Sequence, residues 1–332
     1  MTETPSTAEP GALARLRRYV PDPTSLTMLG LLSIPGYLVP SLERLRAFAL
    51  FFLFGLWPFL SALVPARGES PTDWIDIGGG AYGRRAVVTS LPTFVNPWVQ
   101  WQGVRQLLGQ PLVLARYRGR LPSPERYEQS TDLRLPFDGE WTVVNGSHEK
   151  ARSHSWGIYG QRYAYDFVVT DAEGRTHEGD GSRADQYHCW DRPILAPADG
   201  VVVAASDGHR DYPKAGGRMD PFQRDIRGNY VVLDHGDGEY SVLAHLREGS
   251  LLVEAGERVE RGQRLGRCGN SGNSTEPHLH YHIQDRESFY SGMGLPVAFS
   301  TVAVDGGPGT ESERRARAAI SAGQRVAHVP GE

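Results

Sequence analysis

The residues best suited to chemistry lie in the stretch Gly266–Gln284. A loop rich in glycine and asparagine runs through Pro277 into His278-Leu279-His280-Tyr281-His282-Ile283. Alternation along a strand puts His278, His280 and His282 on one face and Leu279, Tyr281 and Ile283 on the other. Neutral imidazole is a common metal ligand and a common general base. A half-exposed strand accounts for one histidine. Three at period two, behind a turn-rich loop, point to a metal or catalytic site.

Such a strand needs neighbours, and the sequence supplies them. From Leu133 onward, short alternating runs are separated by turn signals. Trp141–Val144 reads as a strand ending at the Asn145-Gly146 turn, and Tyr163–Val169 as a strand holding Asp166. Ile194–Ala205 contains the turn Ala198-Asp199-Gly200, where Asp199 is turn chemistry. Asn229–His235 and Tyr240–His245 form a hairpin around Asp234–Glu239, with Tyr240 on its surface. Gly256, Gly262 and Gly266 punctuate further short strands. Almost nothing here reads as a long helix, and the chain's 39 glycines and 23 prolines favour turns. The expected class is mainly β, an antiparallel sandwich or half-barrel.

In order, the chain presents the Asp166 strand, Ala-Pro-Ala-Asp-Gly-Val-Val (196–202), Gly-Asn-Tyr-Val-Val-Leu-Asp-His-Gly (228–236), Ala-His-Leu (244–246), Val-Glu-Arg-Gly-Gln-Arg-Leu-Gly (259–266) and Gly-Asn-Ser-Thr-Glu-Pro-His-Leu-His (272–280). This series resembles the M23 zinc metallopeptidases, the LytM or lysostaphin-like family, over roughly Trp141 to Pro296. The resemblance implies a LytM-like catalytic domain that binds Zn2+, with the peptide cross-links of bacterial peptidoglycan as substrate. It further implies His278 as a catalytic histidine, His280 as a zinc ligand, His245 as the second catalytic histidine and Asp166 as the aspartate ligand. Three protein ligands leave zinc an open position for water, and two flanking histidines can orient that water and move its proton.

One position departs from the family pattern. The usual first ligand is a histidine four residues before the aspartate, and here that position is Arg162. Arginine stays protonated and cannot ligate zinc. Either another residue supplies the ligand or the site is degenerate. His154, on the loop entering the Asp166 strand, is the first substitute and His148 the second. His177 and His188, in the insertion before Trp190, rank below them. His282 takes a supporting or groove-lining role beyond the ligands. His235 reads as structural, and His209 and His328 as surface residues. Asn229 is expected to satisfy backbone groups near the site or to line its groove.

Cys189 and Cys268 are the only two cysteines. A disulfide is the expectation if the domain lies outside the cytoplasm, with two buried free thiols as the alternative. A Cys-Cys-His zinc site lacks close ligand spacing.

The amino-terminal third is different in texture. Residues 1–22 form a polar tail. The membrane region is 23–66, with a transmembrane helix at 47–66 and a possible second span at 23–42. Ala47–Ala66 carries no charge, and about 20 apolar residues span a bilayer. With one span, the arginines at 15, 17, 18, 44 and 46 precede it, which places the catalytic domain outside the cytoplasm. Residues 67–132 connect the membrane region to the domain. Within them, Pro97–Leu108 reads as a short amphipathic helix, either at the membrane surface or packed on the later domain. The peptidase domain is read as 133–304, followed by a tail, 305–332. A net charge of -4 and the lack of a basic stripe with interleaved aromatics give no case for nucleic acid. The oligomeric state is left open.

Three functions compete. The first is a membrane-anchored zinc endopeptidase acting on peptidoglycan. The second is a non-catalytic M23-like binding or regulatory domain that has lost zinc, for which Arg162 is the argument. The joint presence of Asp166, His245, His278 and His280 is the argument against it. The third, a lipoyl-like carrier, lacks a lysine at the Asp237-Gly238 turn and ranks last.

Overall fold

The computed structural model describes residues 22–57, 60, 70–77 and 81–329. The chain divides into two compact units, Met1–Trp57 and Pro58–Glu332. In the first, Pro23–Leu26, Thr27–Ser33 and Ile34–Leu38 are short helical turns, and Pro40–Leu56 is a 17-residue 3-10 helix. Among the described residues, no helix is long and apolar enough to cross a membrane. The helix expected at 47–66 is described only in part. Its first part lies in the 3-10 helix, and positions 58, 59 and 61–66 fall outside the described residues. The span expected at 23–42 is broken into turns, and Pro35 and Pro40 each remove a backbone donor there.

The described residues of the second unit form twelve strands: β1 (Glu140–Asn145), β2 (Tyr165–Val168), β3 (Pro193–Leu195), β4 (Gly200–Ser206), β5 (Asn229–Asp234), β6 (Tyr240–Leu246), β7 (Arg258–Val259), β8 (Arg264–Arg267), β9 (Leu279–Gln284), β10 (Phe299–Asp305), β11 (Glu313–Ala318) and β12 (Arg325–His328). Ten form one sheet in the order β11-β10-β12-β1-β2-β9-β6-β5-β4-β7, and β3 pairs with β8. The pairings between these strands are antiparallel. The expected mainly β, antiparallel class is the class observed. β5 and β6 are the expected hairpin.

β11 and β12 lie where the sequence reading placed only a tail. β11 reads Glu-Arg-Arg-Ala-Arg-Ala, exposed up to its last residue, and pairs only with β10. A charged edge strand resists further pairing but carries no hydrophobic alternation to announce it.

The main hydrophobic core underlies the sheet, and a smaller cluster holds Val232, Val242 and Phe289. Trp141, Phe137, Tyr165, Phe167, Leu233, Leu243 and Phe299 are fully buried in the main core, joined by Leu279, Tyr281 and Ile283 from the apolar face of β9. The opposite face of β9, also buried, carries His280 and His282. β9 sits between β2 and β6, so the register sets His280 opposite both Asp166 and Ala244. Ahead of the sheet, Ala81–Ser90 and Pro97–Arg116 are α-helices.

Candidate metal and catalytic site

Asp166 and His280 meet because β2 and β9 are neighbours. Asp166 Oδ1 lies 2.8 Å from His280 Nδ1 and 3.7 Å from His278 Nε2, and Asp166 Oδ2 lies 3.8 Å from His154 Nδ1. The rings of His245 and His278 are 4.7 Å apart, and those of His245 and His280 5.8 Å. All five predicted site residues line one cavity of ≈ 370 Å³. His154 reaches it from the loop before β2 with a side chain 67% exposed, whereas Asp166, His245 and His280 are buried.

A hydrogen-bond relay fixes the tautomer of His280. Gln284 Nε2 donates to the carbonyls of Arg286 and Glu287, so its Oε1 is the acceptor for His282 Nε2, 3.1 Å away. His282 Nδ1 then accepts from His280 Nε2, at 3.1 Å. In a neutral ring, the remaining His280 Nδ1 turns its lone pair toward the Asp166 carboxylate. Two electron-rich groups face each other there, and a cation, either a proton or a metal ion, satisfies both. Burial, before the charge of His280, pushes His282 down to about 3, so it stays a neutral link. Burial alone would raise the Asp166 carboxyl. With a proton as the cation on Nδ1, the hydrogen bond and charge of His280, followed by His278 and His154, outweigh it and hold the group well below the usual range.

This donor set fits zinc chemically: two imidazoles and a carboxylate, one imidazole oriented through its second nitrogen. Among the described residues, no three such side chains already stand in the spacing of a metal-bound group.

Backbone carbonyls orient the other two histidines. His245 Nδ1 donates to Ser271 O at 2.9 Å, and His278 Nδ1 to Glu276 O at 2.8 Å. Each therefore leaves Nε2 as a lone-pair base. Burial lowers both pKa values, with neighbouring imidazoles adding to the effect at His245. His245 also departs from strand geometry, with φ 62. A β5–β6 register shift between Asn229 and Val231 lies opposite it, and its N–H donates to Arg227 O rather than continuing the ladder. A non-glycine residue in the left-handed region is strained and commonly functional.

Two site residues were not singled out by sequence reasoning. Asn145 had been read as a turn residue. Its Nδ2 donates to Asp166 Oδ2 at 3.0 Å and its Oδ1 accepts from the His154 N–H at 2.9 Å, so it clamps both. Glu276 lines the cavity, is buried, and has an Oε2 without a hydrogen-bond partner. Burial pushes its carboxyl up to about 8, partly offset by the Tyr187 and Tyr82 hydroxyls.

The other candidates lie elsewhere. His148 Nε2 is bonded to the Val297 carbonyl. His177 packs on Tyr187, and His188 lies outside the cavity. His235 bridges Asp199 O and Ser241 Oγ. Asn229 satisfies the backbone of His209 and Leu246. Arg162 does not line the cavity; its guanidinium lies over the rings of Trp156, at 5.1 Å, and Tyr159, at 4.8 Å. Cys189 and Cys268 are buried free thiols, and Cys189 Sγ donates to the Pro277 carbonyl at 3.0 Å.

Residues 184–291 match Peptidase family M23. The chain is 40% identical over 110 residues to the peptidoglycan DD-endopeptidase ShyA of Vibrio cholerae, covering 32% of this chain and 21% of that protein. It is 30% identical over 141 residues to the glycyl-glycine endopeptidase ALE-1 of Staphylococcus capitis, covering 42% of this chain and 33% of that one. Among solved structures, a zinc-containing peptidase from Vibrio cholerae is 19% identical with a TM-score of 0.31, covering 49% of this chain and 39% of that one. The family match and the two relatives mark part of this chain as similar to M23 peptidase domains. The chain spans about a fifth of ShyA and a third of ALE-1. The family match includes His245, His278 and His280 but begins after His154 and Asp166.

Proposed function

We propose that this chain is a zinc endopeptidase that hydrolyses peptide bonds in peptidoglycan cross-links. The observation that carries the reading is the relay Gln284–His282–His280, which aims the His280 Nδ1 lone pair at Asp166 beside His154. These three residues would hold the metal, and zinc so bound supplies a Lewis acid at neutral pH. His245 and His278 carry the proton traffic. Their Nε2 atoms are free because their Nδ1 atoms are tied to carbonyls. One would take the proton of the attacking water at its Nε2 and return that same proton to the leaving amine, while the Nε2 of the other would accept a hydrogen bond from the water and orient it. The stacking of Arg162 on Trp156 and Tyr159 keeps its charge away from the ligands, which supports an intact site over a degenerate one.

The peptidoglycan substrate is drawn from the relatives' activities. The location we propose is a membrane, with the catalytic domain outside the cytoplasm. It is supported by the uncharged run 47–66 and by the arginines that precede it.

The test is digestion of purified sacculi by the full chain. Release of cross-link peptides is expected, abolished by chelator and by His245→Ala with the fold retained. A native chain that binds sacculi without cleaving them is instead the non-catalytic module. Carbonate extraction of membranes tests the anchor, which fails if the chain is released.

A further inference from the structure

The helix Pro97–Arg116 is built inside out relative to a helix of a water-soluble protein. Its buried positions are mostly polar or small: Gln102 (5% exposed), Gly109, Gln110 (7%) and Val113. Its exposed positions include five large apolar residues, Trp98 (57%), Trp101 (60%), Val104, Leu108 and Leu112 (60%), beside Gln100, Gly103, Arg105 and Ala115. Spacings of three and four residues put these five on one face. The preceding segment carries further exposed apolar residues, Val88, Leu91, Phe94 and Val95.

The polar edge makes the attachment to the domain. Gln102 Nε2 donates to Arg224 O, and Gln102 Oε1 accepts from Ile226 N and Tyr290 Oη. Gln110 donates to Gly157 O and accepts from Tyr159 N. Asn96 caps the helix through Trp98 N and bonds the carbonyls of Pro221 and Gln223. This orientation is fixed by specific bonds, and it leaves the apolar face outward. A contiguous exposed apolar face of this kind marks an interaction surface.

Charge identifies the occupant. Residues 77–124 contain no aspartate or glutamate and six arginines: 84, 85, 105, 116, 118 and 120. Arg116 pairs with Asp285, and Arg105 lies over the Tyr290 ring. Arg84, Arg85, Arg118 and Arg120 are exposed. Tryptophans and aliphatics in one stripe, flanked by arginines and without an acid, match a helix lying in the headgroup region of an anionic bilayer.

We infer that the Pro97–Arg116 face is a membrane-contact surface for anionic lipid, separate from the run at 47–66 and independent of it. Because the helix is bonded to the loop bearing Ile226 and to Tyr290, next to Phe289, and both Ile226 and Phe289 line the cavity, this contact holds the cavity close to the bilayer.

The test places a nitroxide on Leu108→Cys, and separately on Leu112→Cys, in the full chain reconstituted in vesicles. Cys189 and Cys268 are buried, and Leu252→Cys is the exposed reference. In phosphatidylglycerol vesicles, both helix labels should be open to oxygen and shielded from a water-soluble nickel chelate, with the reference label open to nickel. Replacing phosphatidylglycerol with phosphatidylcholine should lower the oxygen preference at the helix. Nickel access at the helix labels equal to the reference overturns the inference, as does release of the chain from the vesicles. Shielding from both reagents with spin–spin broadening assigns the face to a second copy and also overturns it. Equal oxygen preference in the two lipids refutes the requirement for anionic headgroups.

Discussion

Glu276 gives the chain a pH dependence that one substitution should remove. The side chain is 5% exposed, its Oε2 is unpartnered, and its carboxyl is pushed up from 4.5 to about 8. Burial is the main cause, since ionisation would place a charge beside a cavity wall with no cation to meet it. The folded state therefore holds this proton more tightly than the unfolded chain. The resulting stabilisation is fully present below about 4.5 and is lost as the pH rises through about 8. A shift of that size corresponds to about 5 kcal/mol over the whole window, of which about 3 kcal/mol falls between roughly pH 6 and pH 9. Glu276→Gln keeps the shape and cannot ionise. Urea unfolding of the two proteins, with chelator in both so that metal binding does not enter, measures the difference directly. The variant should gain on the native chain by about 3 kcal/mol on going from roughly pH 6 to pH 9. A stability difference that stays constant across that range refutes the reasoning, because it means that Glu276 titrates alike in both states.

Other consequences follow from single contacts. Asn145→Ala removes the clamp on Asp166 and His154 and should weaken zinc affinity by roughly 10–100-fold, read by competition with a chromogenic chelator. Arg162→Leu should lower stability by about 1–2 kcal/mol, through loss of stacking on Trp156 and Tyr159, and leave zinc stoichiometry unchanged. Loss of metal in that variant contradicts the placement of Arg162 outside the site. Gly109→Ala drives a Cβ into the Tyr290 backbone carbonyl. It should destabilise the docked helix by about 1–3 kcal/mol and raise amide exchange across Pro97–Arg116, and unchanged exchange there counts against the docking.

Period-two alternation made β9 legible, because burial on one side and polarity on the other follow directly from strand geometry. The strand around Asp166 was legible as an apolar run, whereas the role of Asp166 as a ligand came only from the resemblance of the ordered series. The function of Asn145 was not, because it depends on β1 lying beside β2, and a residue that ends one strand gives no local sign of clamping a carboxylate 21 positions away. The left-handed His245 was equally silent, since its strain comes from the β5–β6 register shift rather than from its neighbours in sequence. Arg162 stands at the ligand position of the series, and nothing in the sequence signalled that Trp156 and Tyr159, a few residues upstream, hold its charge outside the cavity. The helix Pro97–Arg116 showed its apolar spacing plainly, but only the buried Gln102 and Gln110 decide which way that face turns.

The central claim is that His154, Asp166 and His280 form one metal site. Zinc content per chain, measured by elemental analysis on the native protein and on His154→Ala, Asp166→Ala and His280→Ala, tests it most directly. The account predicts one zinc in the native chain and loss of most of it in each variant with the fold intact. A native chain without zinc, or full zinc retention in His154→Ala, contradicts it.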